Sequence, residues 1–587
     1  MTLQQSALPI LIVAAPLVAS FLLPLVGWWR RKAAYPVFLG ALALSAGASV
    51  AAAQAVLAEG PLAYHLGGWA PPWGIAFRID HLAALLLALL SGMGLAVGVY
   101  SKRSVLRELP DREVPFYTVY LLLMTGVTGM VATADMFNLY VFLEVASLTS
   151  YALVSIGSGR AVVAAFRYLV LGTVGAAFYL LAVGYLHSVA GTLNMADLAE
   201  VLPALYESNA VRVGFAFFVV GMAIKMALFP VHAWLPAAYA HAPSVVSAIV
   251  AATTTKVAAY ALIRVTFFVF EPRIAVELFP VTALLGVAGA VAMVLGSVLA
   301  IAQTDLKRML AYSSVAQVGY IVLGVGMANA TALTGSVLHL VNHSVMKGCL
   351  FLAAGAILYR TGCREIVQLR HLSRRMPWTA ALFSVAAFSM IGLPPFGGFF
   401  SKMYLILGAI EGERWVFLGL ILLSSVLALA YFANVLRYLY VPGEAAVAAG
   451  PPGHPPAAPT AADGLGGETG ERRDRSGDRG SETGERKDKA GQRGDQAGQE
   501  GEAREREGRA GEEVEAGQRG DLTGERGDLT GEENGEPGEG VGRAGEAPLP
   551  MLAPMLALAV AILLLGLLNG PIVSGFLEPV LPQGLPR

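Results

Sequence analysis

The sequence predicts an all-α polytopic membrane protein of about fourteen transmembrane helices, two of them broken. Three observations point there. Hydrophobic residues fill 56% of the 587 positions and charged residues only 14%, against roughly 25% charged in a soluble domain. Apolar runs of about 20 residues, the length that crosses a bilayer core, recur along most of the chain. Lysines and arginines then fall into alternate connections between those runs, as cytoplasmic loops of membrane proteins require.

Taken in order, the runs lie near 5–27, 34–56, 79–100, 115–133, 136–156, 163–187, 211–235, 244–270, 278–302, 309–328, 332–358, 378–410, 415–440 and 550–577. Helix is the element open to each, because an unpaired strand edge in lipid leaves backbone groups unsatisfied. The first run is followed, not preceded, by Arg30, Arg31 and Lys32. That order reads as a retained span rather than a cleaved signal. One set of connections also holds Lys102, Arg103, Arg107, Arg112, Arg160, Lys307, Arg308, Arg360, Arg364, Arg370, Arg374 and Arg375. The opposite set holds only Arg78, Arg212, Arg273 and Arg414. The expected placement is a multi-pass protein of the cell membrane with both termini outside and residues 441–549 in the cytoplasm.

Five segments follow. Residues 1–110 carry the first three spans, 111–275 a first five-helix repeat and 276–440 a second. Residues 441–549 form a charged insertion, and 550–587 hold the last span and a tail. Of the 83 charged residues, 38 lie between Asp463 and Pro548, with near-repeats such as RGDLTGERGDLTGE. With so few bulky apolar residues this stretch cannot offset its ordering entropy, so it is predicted to be a disordered tether. Its glycines keep no strict three-residue period, which argues against a collagen helix. A net charge of −1 offers nothing to nucleic acid. Cys349 and Cys363 show neither metal-type spacing nor a disulfide framework.

Ionisable residues inside a bilayer are costly and mark ion pathways by default. Glu144 falls near the middle of the fifth run, Lys225 of the seventh and Lys256 of the eighth. His339, His343 and Lys347 share one face of the eleventh at four-residue spacing. Lys402 lies in the twelfth. A set of locking ion pairs does not account for this pattern, since one carboxylate faces four lysines. A buried amine without a counter-charge can instead give up its proton. The expectation is a proton or cation relay.

Prolines sharpen it. Pro230 interrupts the seventh helix just after Lys225, and Pro394–Pro395, followed by Gly397 and Gly398, interrupts the twelfth just before Lys402. Broken helices in lipid are tolerated where they line a cavity. Breaks in corresponding spans predict two inverted repeats, spans 4–8 and 9–13. His232 and His241 either extend the relay or border it. Asp80 and Asp135 stand at span ends, where a cap and an ionic role are both open, and Arg167 is expected to snorkel to the interface.

The stretches TADMFNLYVFLEVASLTSYALV, KMALFPVHAWLPAAYAHAPSVVSAIVAATTTKVAAYAL, DLKRMLAYSSVAQVGYI, HLVNHSVMKGCLFL and GLPPFGGFFSK resemble the antiporter-like subunits of respiratory complex I, membrane-bound hydrogenases and Mrp cation/proton antiporters. The resemblance covers roughly residues 75–440, and TADMFNLYVFLE with GTLNMADLAE is most similar to the branch of the Mrp D subunits. It implies that Glu144 and Lys225 form an ion pair and Lys256 a central connecting lysine. The histidines and Lys347 would continue the relay, and Lys402 would end it. It further implies other membrane subunits as partners, with protons and Na⁺ or K⁺ as cargo. The alternative within the family is a proton-pumping module of a complex I-like NADH:quinone oxidoreductase or hydrogenase. The insertion before the last run has no counterpart in that pattern. Nothing resembles a metal, flavin, nicotinamide or iron–sulfur site, so neither a cofactor nor a redox site is expected in this chain. Haem ligation by His339 and His343 is disfavoured because one helix carries both.

Overall fold

A computed structural model describes residues 4–157, 159–441, 545–582 and 584–585. Most of the insertion, residues 442–544, lies outside the described residues, and its expected disorder with it.

Among the described residues, twelve helices are long and apolar enough to cross a membrane. Two more spans are split, which accounts for the fourteen expected runs. The split spans are the seventh, Asn209–Lys225 with Trp234–His241, and the twelfth, Pro377–Ile391 with Gly397–Glu411. The chain is therefore a multi-pass membrane protein, with both breaks where the prolines put them.

Helix ends are set locally. Asp80, Asp135, Asp305 and Asn329 each accept a backbone N–H three residues on, capping spans 3, 5, 10 and 11. Gly191 and Gly362 adopt the left-handed conformation that ends spans 6 and 11.

Helices also differ in depth. The apolar windows of spans 8, 10 and 11 (Ser244–Phe268, Leu306–Met327 and Ala330–Thr361) are 94%, 89% and 100% buried, against 28% for spans 1 and 13 (Leu8–Trp29 and Trp415–Tyr440). The inner helices are thus wrapped by protein, and the outer ones turn residues such as Phe21 and Val426 outward. Small residues let backbones meet: a Cβ on Gly319 would lie 2.6 Å from the carbonyl oxygen of Gly289, so spans 9 and 10 (Val281–Ile301 and Leu306–Met327) touch main chain to main chain. Span 14 (Leu549–Leu567) packs against spans 3, 11 and 12.

A small sheet lies outside the expected runs. Gln4–Gln5 (β1), Leu62–His65 (β2) and Ala76–Ile79 (β3) form a three-stranded sheet in the order β1-β2-β3, parallel then antiparallel. Strands of two to four residues are too short to show a period of two. The described chain also resumes before position 550. The Glu546 carboxylate accepts from Trp378 N at 2.8 Å and Thr379 Oγ1 at 2.5 Å, placing an anion on the exposed amides that open span 12.

Candidate functional site

Each break has a lysine beside the carboxyl end of its first half-helix, where unpaired carbonyls concentrate negative potential. In span 7 Lys225 is itself the last residue of the first half. Its Nζ lies 3.1 Å from Glu144 Oε1 on span 5 (Met136–Ser155) and 2.7 Å from Ser147 Oγ one turn on. Trp234, which opens the second half, donates its indole N–H to the Ile224 carbonyl at 3.0 Å, so the break is satisfied by its own flank. In span 12 Lys402 belongs to the second half and reaches back. Its Nζ is 3.0 Å from the carbonyl oxygens of both Met390 and Ile391, and 3.2 Å from Ser425 Oγ on span 13. The Tyr320 ring lies 4.8 Å from the same ammonium.

Between the breaks the polar groups continue. Lys256 donates to the Ala251 carbonyl at 2.5 Å and to Thr255 Oγ1 at 3.3 Å. Ser344 of span 11 donates to the neighbouring Ala252 carbonyl. Lys347 is bonded to Ser313 Oγ and to the Leu310 carbonyl of span 10. His339 bridges two helices, Nδ1 at 3.0 Å from Ser401 Oγ and Nε2 at 2.9 Å from Gln317 Oε1. Ser401 is the residue before Lys402. The His343 ring is stacked 6.0 Å from that of His339. Both its nitrogens are buried with no partner among the described residues, a state that a bridging water would relieve.

Among the described residues, Lys225 is the one lysine in an ion pair. Lys256, Lys347 and Lys402 rest on carbonyl and hydroxyl oxygens, a weaker hold than a carboxylate. Beside Lys225 a cavity of about 20 Å³ is lined by Ser147, Ser150, Tyr168 and Thr254. That is room for one water with several polar partners, on the side facing span 8.

Among the described residues, His232 and His241 hydrogen-bond to none of these side chains. His241 spends Nδ1 on the Ala237 carbonyl of its own turn at 2.9 Å. It borders a cavity of about 580 Å³ at the bundle end, with Glu108, Asp305 and Arg308. His232 sits in the break itself, its ring 5.2 Å from Phe229.

Sequence reasoning misses three charged groups. Lys307 reads as a loop cation, yet it is buried with Nζ 2.6 Å from the Ala242 carbonyl. Arg264, two turns beyond Lys256, forms a two-pronged ion pair with Asp80 at 2.6 and 2.7 Å. Asp80 thus both caps and pairs, while Asp135 caps with no cation paired to it among the described residues. Arg364 borders the same cavity as His241.

Fold and site define a polytopic membrane protein whose interior carries a polar line between two broken helices. The family described as NADH:quinone oxidoreductase/Mrp antiporter, TM, matches residues 133–428. The N subunit of the NADH-quinone oxidoreductase of Desulforudis audaxviator is 47% identical over 439 residues, 74% of this chain and 87% of that protein. The D subunit of the Na⁺/H⁺ antiporter of Alkalihalophilus pseudofirmus is 33% identical over 395 residues, 67% of this chain and 78% of its own. Among solved structures, the Mrp complex of a Dietzia species aligns over 98% of both chains with a TM-score of 0.73 and 26% identity. An archaeal membrane-bound sulfane sulfur reductase, a respiratory membrane complex, aligns over 74% of this chain and 88% of its own, with a TM-score of 0.70 and 30% identity. The chain belongs to the NADH:quinone oxidoreductase/Mrp antiporter transmembrane family.

Proposed function

We propose that the chain translocates protons along Glu144, Lys225, Lys256, His343, Lys347, His339 and Lys402, as a subunit of a multisubunit Mrp-type antiporter that exchanges protons for Na⁺ or K⁺. The carrying observation is the 3.1 Å Glu144–Lys225 pair beside a break, at the head of amines that have no carboxylate partner among the described residues. The carboxylate holds the Lys225 proton. When the pair opens, the amine loses that stabilisation and releases its proton toward span 8. The water-sized cavity beside Thr254 supports that direction. From Lys256, exchange continues over carbonyl-held ammonium groups and the two imidazoles to the second break. His232 and His241 border the line rather than belong to it.

The Mrp assignment is supported by the relative named as an antiporter's D subunit and by the full-length likeness to a chain of an Mrp complex. The other membrane subunits of such a complex are the partners this reading requires. Residues 111–275 and 276–440 are read as inverted repeats, each with its break in the fourth of five spans. By the loop charges the Glu108 end of the bundle and the 441–549 insertion face the cytoplasm of a cell membrane, and both termini face out.

A second reading is favoured by the 47% identical relative named as the N subunit of an NADH-quinone oxidoreductase. In it the same line serves a pump module driven by redox chemistry in partner subunits. Vesicles containing the purified complex separate the two. An imposed Na⁺ or K⁺ gradient drives proton flux under the first reading. Under the second, flux follows quinone reduction and ignores the cation gradient.

A further inference from the structure

Span 8 carries a second polar device on the side of Lys256 away from the cytoplasmic cavity. Between Lys256 and Arg264 the sequence VAAYALI holds one polar side chain, Tyr260. The three residues stand four apart on one helix face, each about 6 Å further along the axis. The Tyr260 hydroxyl donates to the Val131 carbonyl at 3.2 Å and accepts from Arg264 Nε at 3.1 Å. Arg264 then closes on Asp80 with both terminal nitrogens, its guanidinium also held over the Tyr260 and Phe268 rings.

Two cavities flank this pair. One, about 340 Å³, is lined by Arg78, Asp80, Thr133, Glu200, Tyr260 and Arg264. The other, about 430 Å³, includes Arg78, Asp80, His81 and Glu271. A nearly buried ion pair contributes little net stability, since desolvating two charges offsets their attraction. Its position is more telling: in the first cavity it sits beside Tyr260, the one polar side chain of span 8 between Arg264 and Lys256.

We infer that Asp80, Arg264 and Tyr260 form the outer portal of the path, the ion pair acting as a latch and the Tyr260 hydroxyl passing protons between the outer cavity and Lys256. The inference rests on the translocating role proposed above. It adds a route to the outer surface from the first half of the chain, independent of Lys402. Once Lys256 has given up its proton, one arriving from the outer water binds the Tyr260 oxygen as the hydroxyl proton leaves the Val131 carbonyl for the neutral Lys256 amine, which takes it up. The hydroxyl is restored by reorientation, so no net chemistry remains. Arg264, always charged, repels that proton until the guanidinium swings away with Asp80.

Two arms test it on the intact complex in oriented vesicles. In a Cys349→Ser/Cys363→Ser chain, Ala134→Cys and Ala199→Cys, which line the first cavity, should react with a membrane-impermeant maleimide from the outer side only. The double variant Asp80→Asn/Arg264→Gln keeps the cap of span 3 and leaves no charge stranded. It should leak protons without cation exchange, and adding Tyr260→Phe should cut that leak about tenfold or more. Labelling from the cytoplasmic side, absence of labelling, absence of leak, or a leak indifferent to Tyr260→Phe overturns the portal. Failure of the translocating role itself shows elsewhere, as full transport without Glu144, and the labelling arm stands apart from transport.

Discussion

The ammonium of Lys402 lies 3.0 Å from the carbonyl oxygen of Ile391, the last residue of the half-helix that the Pro394–Pro395 break ends. A helix end inside a bilayer bundle leaves carbonyls unpaired, and here Lys402 satisfies two of them. The break and the charge therefore need each other. Lys402→Met is expected to lose transport and to lower stability by about 1–3 kcal/mol, the cost of stranded buried acceptors. Lys402→Arg should restore stability but not transport, because guanidinium does not release its proton. Melting temperature and vesicle flux, measured on the same preparations, check both.

The second break has an external brace. A Cβ on Gly566 of span 14 would lie 2.0 Å from the Pro395 carbonyl oxygen. Gly566→Ala should therefore shift the break and cost about 1–3 kcal/mol by overpacking. Flux should fall although no titratable group has changed. Ala at the neighbouring, lipid-exposed Leu567 is the matched control.

The first break depends on its own flank. Trp234→Phe keeps an aromatic against Tyr168, whose ring stacks 3.9 Å away, but removes the donor to Ile224. A loss of about 1 kcal/mol is expected for that hydrogen bond, read as a lower melting temperature. An unchanged melting temperature would mean that water takes the carbonyl over.

Much of this is legible in the residues. Lys225 and Lys402 stand out because a cation in an apolar run has few explanations, and Pro230 and Pro394–Pro395 because proline cannot continue a helix. What rests on distant partners is not legible. Arg264 lies close enough to the end of its span to pass for a snorkelling residue, and only packing shows Asp80 beneath it. Lys307 follows Asp305 at a helix start and reads like a loop cation until span 7 covers it. The supports of Lys256 and Lys347 are carbonyls and hydroxyls, which no residue pattern distinguishes from ordinary serine and threonine.

Asp135 offers a pH test outside the spans. Burial raises its carboxyl above the usual carboxylate range, against the opposing pull of the Asn138 and Phe137 amides. The folded state then holds this proton more tightly than the unfolded chain, so its stabilising contribution is full at low pH. That contribution is lost as pH rises through the raised value. Asp135→Asn keeps the cap and should flatten stability across that window. A profile identical to that of the parent chain would contradict the assignment.

In the proposed function, protons pass through the Glu144–Lys225 pair. The most direct measurement is proton flux into vesicles holding the fully assembled complex, with Glu144→Ala and Lys225→Ala compared against the parent chain at equal incorporation. Flux reduced about a hundredfold or more, as loss of a proton-transfer group entails, is the expected result for both. Parent-level flux in both variants, with the complex intact, would contradict it.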